Sequence, residues 1–130
     1  MDALIFDTTF LIDFQRERTT GTGKAHEFLR VYAESLAFLP VTAFGEFAEG
    51  FESLDDPNFL SVVDSFEILP VTEEVARTYA GLTRTLRAQG RLIGANDLWI
   101  AAIATEKRLP LVTRNLEHFS RISRLEVRSY

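Results

Sequence analysis

Short apolar runs bounded by polar residues alternate along this chain with longer stretches in which apolar positions recur at helical spacing. Ala3 to Phe6 is the first run, and four apolar residues in succession suit a strand buried on both faces, as in a parallel sheet covered by helices. Thr8 or Thr9 then offers a hydroxyl to cap a helix through Phe10, Leu11, Ile12 and Phe14. Arg16 to Lys24, with Thr19-Thr20-Gly21-Thr22-Gly23, has the composition of a mobile loop. A helix over Ala25 to Ser35 follows, then a strand from Leu36 to Leu39 that Pro40 stops.

Thr42 opens the next helix, in which Phe44, Phe47 and Phe51 fall at i, i+3 and i+7 and line one core-facing side. Asp55-Asp56-Pro57 breaks it. Another helix runs to about Ser65, and Phe66 to Val71 carries a strand. Thr72 with Glu74 starts a long helix to about Gln89, with Val75, Tyr79, Leu82 and Leu86 as its apolar stripe and Gly90 at its end. A helix from near Asn96 has Leu98 to Ala104 with almost no polar face, so it must be buried on most sides. Pro110 to Thr113 reads as a further buried strand and Leu125 to Val127 as a last edge strand. The alternation predicts an α/β fold, a three-layer α/β/α domain around a mainly parallel sheet.

Composition narrows the chemistry more than the fold. At 130 residues, 46% hydrophobic and 25% charged, the chain is expected to form one globular domain over residues 1–130. It has no cysteine and two histidines, His26 and His118, which excludes a thiolate zinc site and disfavours an imidazole-built one. Oxygen ligands remain, favouring Mg2+ or Mn2+ for any bound ion. No leader-like segment precedes the first strand and nothing approaches a membrane span, so a cytoplasmic protein with no membrane partner is expected.

The net charge of −5 hides a polar molecule: residues 1–76 hold 4 Lys/Arg and 15 Asp/Glu, whereas residues 77–130 hold 10 and 4. That imbalance of −11 against +6 points to an electrostatically matched partner or substrate.

Three acids stand out by position. Asp7 follows Leu4-Ile5-Phe6, Glu46 lies inside Thr42-Ala43-Phe44-Gly45-Glu46-Phe47, and Asp97 opens Asn96-Asp97-Leu98-Trp99-Ile100-Ala101-Ala102. Each interrupts an apolar stretch, and an isolated buried carboxylate is too costly without compensation. A shared divalent cation would compensate all three. Singly, each has a plainer explanation: Asp7 as a helix cap, Asp97 as a first-turn acid, Glu46 as one of a solvated row with Glu49 and Glu52. In open parallel sheets ligands bind beyond the carboxyl ends of the strands. Two strands here end in polar residues that fit, Phe6 before Asp7-Thr8 and Val112 before Thr113-Arg114-Asn115. Thr113 and Asn115 point the same way if the chain stays extended.

At these residues the chain resembles the PIN-domain ribonucleases, and within them the VapC-type toxins of bacterial toxin–antitoxin pairs. Ile5 to Asp13 is similar to that family's opening motif, Val41 to Gly50 to its second, Asn96 to Ala102 to its third, and Leu111 to Asn115 to its fourth. The resemblance implies a metal-dependent ribonuclease in which Asp7, Glu46 and Asp97 form the acidic triad, with Asp7 and Asp97 as the chief metal ligands. It implies hydrolysis of an RNA phosphodiester bond by water activated at one or two ions. It also implies a cognate antitoxin and a homodimer, for which a content of 11 phenylalanines is a second argument. Relatives often carry a fourth acid where this chain has Asn115, or before the position of Phe119, where it has His118. Glu117 is nearby but out of register, so Asn115 is taken as the fourth site residue. Thr8, Thr113 and Arg114 are candidate substrate contacts, and Arg84, Arg87, Arg91 and Arg121 candidate holders of the RNA backbone.

Rival readings fare worse. A haloacid-dehalogenase-type phosphatase needs a second Asp two residues after the first, where this chain has Thr9, and a receiver domain needs acids that Asp55-Asp56 is badly placed to supply. A PIN fold retained as a protein- or RNA-binding module, with its fourth-site chemistry lost, is the serious alternative.

Overall fold

The computed structural model describes residues 2–130. Its elements run β1 (Ala3–Phe6), α1 (Thr8–Arg16), a 3-10 turn over Glu17–Thr19, α2 (Lys24–Val31), β2 (Leu36–Pro40), α3 (Val41–Ala48), α4 (Pro57–Val63), β3 (Glu67–Leu69), α5 (Glu73–Ala88), α6 (Ala95–Lys107), β4 (Leu111–Val112), α7 (Leu116–Phe119) and β5 (Val127–Arg128). The five strands form one sheet in the order β3-β2-β1-β4-β5, and every neighbouring pair is parallel. β1 is therefore central, with Ile5 opposite both Phe38 and Leu111. Leu4, Ile5 and Phe6 are all buried, as a strand covered on both faces requires.

The chain moves outward from β1 through β2 to β3, then returns across the sheet to β4 and β5. Right-handed crossovers in these two directions put helices on opposite faces and leave a topological switch point between β1 and β4. Asp7 and Thr113 follow those two strands at their carboxyl ends, one on either side of that point, and are buried against each other. Phe6 anchors this edge: its ring packs on Phe10, Phe28 and Phe66 with centroids 4.6, 5.9 and 5.3 Å away. Aromatic pairs of this kind contribute about 0.5–1.5 kcal/mol each beyond area burial, so the residue before Asp7 has little freedom.

Several expectations shift in detail. Asp7, rather than Thr8 or Thr9, caps α1, its side chain accepting from the Phe10 N–H at 3.0 Å. β2 runs through Pro40 straight into α3, because proline lacks only the N–H and the strand can end on it. β3 and β4 are shorter than the apolar runs that carry them, and β5 lies two residues later than expected. The one-turn helix α7 is too short to leave a periodic signature. Arg16 to Lys24 is pinned rather than loose: Glu17 reaches forward to accept from the Ala25 and His26 N–H groups at 3.0 and 2.8 Å and contacts His26 Nδ1 at 2.9 Å. Gly23 makes that possible, since its φ of 143° suits glycine and a Cβ there would overlap the Glu17 side chain.

α6 is buried along Leu98 and Ile100–Ala104, as its sequence demands, and packs against α5 and α3. Seven of the eleven phenylalanines are buried in the core, and Phe14, Phe38, Phe44 and Phe51 pack against it while staying partly exposed. Exposed large apolar residues are aliphatic instead, Val31, Leu36 and Leu54 being the most exposed. No helix among the described residues is long and apolar enough to cross a membrane.

Candidate active site

Asp7 leaves the central strand at its carboxyl end and is only 2% exposed. Its Oδ1 accepts from the Thr9 hydroxyl at 2.7 Å and from the Phe10 N–H at 3.0 Å. Its Oδ2 accepts from the hydroxyl of Thr113, itself fully buried at the end of the neighbouring β4. Burial pushes the Asp7 carboxyl above its ordinary value; the bonds from Thr113, Thr9 and Phe10 pull it down, and the charge of Asp97 pushes it up again. Burial outweighs the hydrogen bonds. A carboxylate oxygen pair has about four lone-pair sites, and three are spent, so one on Oδ2 remains for a ligand.

Asp97 sits in the first turn of α6, where the helix dipole favours a negative charge. It is half-buried, and its Oδ2 lies 3.1 Å from Nδ1 of His118. The same nitrogen is 2.8 Å from the side-chain amide of Asn115. The amide atom facing the ring is Asn115 Nδ2, so Nδ1 accepts from Asn115 in one tautomer and donates to Asp97 in the other. Asn115 therefore reaches Asp97 through His118, and its N–H donates to Thr113 Oγ1 at 2.9 Å.

Glu46 is turned differently. It accepts from the Thr8 hydroxyl at 2.8 Å through Oε1 and from Asn96 Nδ2 at 3.1 Å through Oε2. It is half-buried whereas Glu49 and Glu52 are exposed, so it is not part of a solvated row. It stands in the second turn of α3, not at its start, and so the dipole argument made for Asp97 does not extend to it. Thr8 orients Glu46, and Asn96, the residue before Asp97, ties Glu46 to α6.

The remaining predicted residues divide sharply. Arg114 Nη1 is engaged by Asp13 at 2.9 and 2.8 Å, and Arg121 Nη1 donates to the carbonyls of Arg91 and Leu92 at 3.4 and 3.1 Å. Arg121 is thus a tie between loops rather than an open cation. Arg84, Arg87 and Arg91 are exposed. Glu117 is exposed and faces Arg121 at 3.6 Å, away from the carboxylates. Sequence reading missed Asp13, Asn96 and Tyr130. Asp13 closes the opening motif and Asn96 opens the third, so both lay within a local signal, whereas Tyr130 did not.

Among the described residues, no three His, Cys, Asp or Glu side chains gather closely enough to hold an ion by themselves. Mg2+ is commonly bound through one or two carboxylates and several waters rather than by an all-protein cage. Asp7 and Asp97 fit that role: both are oxygen donors, both have a lone pair to spare, and their charges already interact unfavourably. A cation between them would relieve the buried charge of Asp7.

A parallel α/β domain with opposed carboxylates at its switch point is the class that fold and site define together. Residues 4–125 match the PIN domain, and the chain belongs to the PIN-domain family. It is 31% identical over 132 residues to a protein named Ribonuclease VapC1 from Rickettsia felis, covering 95% of this chain and 93% of that one. In fold it is similar to VapBC2 of Rickettsia felis, solved bound to a DNA fragment from their promoter, with a TM-score of 0.84 at 22% identity over 98% of both chains. It is also similar to VapBC-5 of Mycobacterium tuberculosis, described as a member of the VapBC family of toxin-antitoxin systems, with a TM-score of 0.71 at 24% identity over 100% of both chains.

Proposed function

We propose that the chain is a cytoplasmic ribonuclease toxin of the VapC type, hydrolysing RNA phosphodiester bonds with Mg2+ or Mn2+ and neutralised by a cognate antitoxin. The buried Asp7, held by three donors and opposed by Asp97, carries this reading. The charge of Asp97 adds to the cost of burying that of Asp7, and a cation held by both would offset it. The full-length likeness to Ribonuclease VapC1 supports ribonuclease activity, and the toxin–antitoxin relative supports a protein partner.

Asp7 and Asp97 would hold the ion, with Glu46 at the rim. A bound divalent cation supplies charge neutralisation at the scissile phosphate and a lowered pKa for attacking water. The protein's own share is geometric. Thr9, Thr113 and the Phe10 N–H fix the Asp7 carboxylate, His118 fixes that of Asp97, and Thr8 with Asn96 fixes Glu46, so no side chain must reorganise as charge develops. An antitoxin and a second copy of the chain would cover exposed aliphatic positions such as Val31, Leu36 and Leu54.

One observation favours the binding-module alternative: a histidine, not a fourth acid, faces Asp97. Incubating purified protein with a mixed RNA substrate in Mg2+, Mn2+ or EDTA separates the readings. Metal-stimulated cleavage that vanishes in Asp7→Asn supports the nuclease, while RNA binding without cleavage under any metal supports the module.

A further inference from the structure

Asp13 lies on α1, six residues after Asp7, and belongs to none of the carboxylate pairs above. Both of its oxygens accept from Arg114 Nη1, and Oδ2 also accepts from the Tyr130 hydroxyl at 2.6 Å. The Asp13 side chain is 15% exposed but that of Arg114 is 59% exposed. One nitrogen of the guanidinium is therefore clamped inward, while among the described residues no protein acceptor engages Nε or Nη2. Tyr130 is placed by its ring, which meets Phe10 edge-on at 4.8 Å. Burial pushes the Tyr130 phenol up and the bond to Asp13 pushes it further, so it stays a proton donor.

The position of Arg114 gives this cluster its meaning. Its neighbours are Thr113, whose hydroxyl donates to Asp7, and Asn115, whose N–H donates back to Thr113 and whose side chain leads through His118 to Asp97. Thr113 N–H in turn donates to Arg128 O at 3.0 Å, on the strand that leads to Tyr130. The turn that connects the two carboxylates is thus held from β5 and from α1. An acidic site repels a polyanion, and an arginine already fixed by one carboxylate loses less freedom when its remaining donors meet a phosphate.

We propose that Asp13 and Tyr130 are positioning residues, which hold the Thr113–Asn115 turn against Asp7 and present the free donors of Arg114 to an RNA phosphate at the rim of the site. The phosphate assignment rests on the ribonuclease reading, and the holding of the turn does not.

Amide hydrogen exchange and steady-state cleavage of a synthetic single-stranded RNA, measured on Tyr130→Phe, Asp13→Asn and Arg114→Ala, test both parts. Tyr130→Phe keeps the ring against Phe10 and removes one hydroxyl, so it remains informative if Asp13→Asn folds poorly. Exchange at the Asn115 amide should quicken by about tenfold in Tyr130→Phe, the worth of one hydrogen bond to a charged group, with β1 amides unchanged. KM for RNA should rise several-fold in all three variants with kcat less affected, and Asp13→Asn should add little to Arg114→Ala. Faster exchange in a protein that cleaves no RNA upholds the positioning of the turn and sinks the nuclease reading. Unchanged Asn115 exchange overturns the proposal whatever the cleavage, and faster exchange with an unchanged KM overturns the phosphate assignment.

Discussion

Thr113 and Asp7 are 106 residues apart in sequence and adjacent in space, one at the end of β4 and one at the end of β1, and the threonine hydroxyl donates to Asp7 Oδ2. The same hydroxyl oxygen accepts from the Asn115 N–H. One buried group therefore orients a catalytic candidate and begins the turn that carries another. Thr113→Val keeps the shape and strands both partners, so it should cost about 1–3 kcal/mol, the penalty of unsatisfied buried groups. It should also lower RNA cleavage at least as much as it lowers stability. Denaturant unfolding and cleavage rates measured side by side check this; a Val variant as active as the parent would show that the hydroxyl only fills space.

Asp7 leads to a prediction about pH in the absence of metal. Its carboxyl is held above the ordinary value of 3.8 by burial against the opposing hydrogen bonds. The folded state therefore binds the proton more tightly than the unfolded chain does. By linkage, stability is highest below the unfolded value and falls as pH rises through the folded one. Asp7→Asn should remove this fall and abolish cleavage, and in EDTA at neutral pH it should be no less stable than the parent. Thermal unfolding from pH 3 upward, in chelator, reads the difference; parallel curves for the two proteins would contradict it.

Glu17 has the opposite sign. Burial raises its carboxyl, but the N–H groups of His26 and Ala25 and the His26 ring together bring it below the ordinary 4.5. Its stabilisation is present above the unfolded value and lost as pH falls through the folded one. Because it supplies the cap that Gly23 cannot, Glu17→Ala should cost about 1–2 kcal/mol and raise exchange at Ala25 and His26, with no effect on cleavage. An equally stable Ala variant would show that the loop closes without it.

The α/β alternation and the three acids were legible because both are written locally. Buried parallel strands need continuous apolar runs, and a carboxylate inside such a run stands out. What escaped depends on distance in sequence. Asp13 clamps Arg114 across 101 residues and meets Tyr130 across 117, so no spacing rule links them. Arg114 and Arg121 read as free cations from composition, and partners supplied by the fold tie them down. Thr8 and Thr9 read as caps because their neighbour Asp7 outcompetes them only once α1 is built. The phenylalanine count suggested surplus apolar surface, and interlocking rings such as Phe44, Phe47 and Phe51 around Phe59 take up most of it, with Phe44 and Phe51 still partly exposed.

The fourth-acid question has a concrete form in the contact of His118 with Asp97. His118 occupies the position before Phe119, and its Nδ1 is 3.1 Å from Asp97 Oδ2. An imidazole there holds the carboxylate but adds no negative charge for a cation, whereas an aspartate would add one and be repelled by Asp97 until metal binds. His118→Asp should therefore lower the Mg2+ concentration needed for half-maximal cleavage and reduce stability in EDTA. Asn115→Asp should be tolerated or act the same way more weakly, because Asn115 reaches Asp97 only through the histidine. Asn115→Ala should lower activity partially and raise the metal requirement by loosening both His118 and the turn. Glu117→Gln should change little, since that side chain is 86% exposed and faces Arg121. Metal titrations of cleavage across the four variants decide the assignment. A Glu117→Gln protein as inactive as Asp7→Asn would move the fourth site to Glu117, and a His118→Asp protein with an unchanged metal requirement would show that this position does not face the ion.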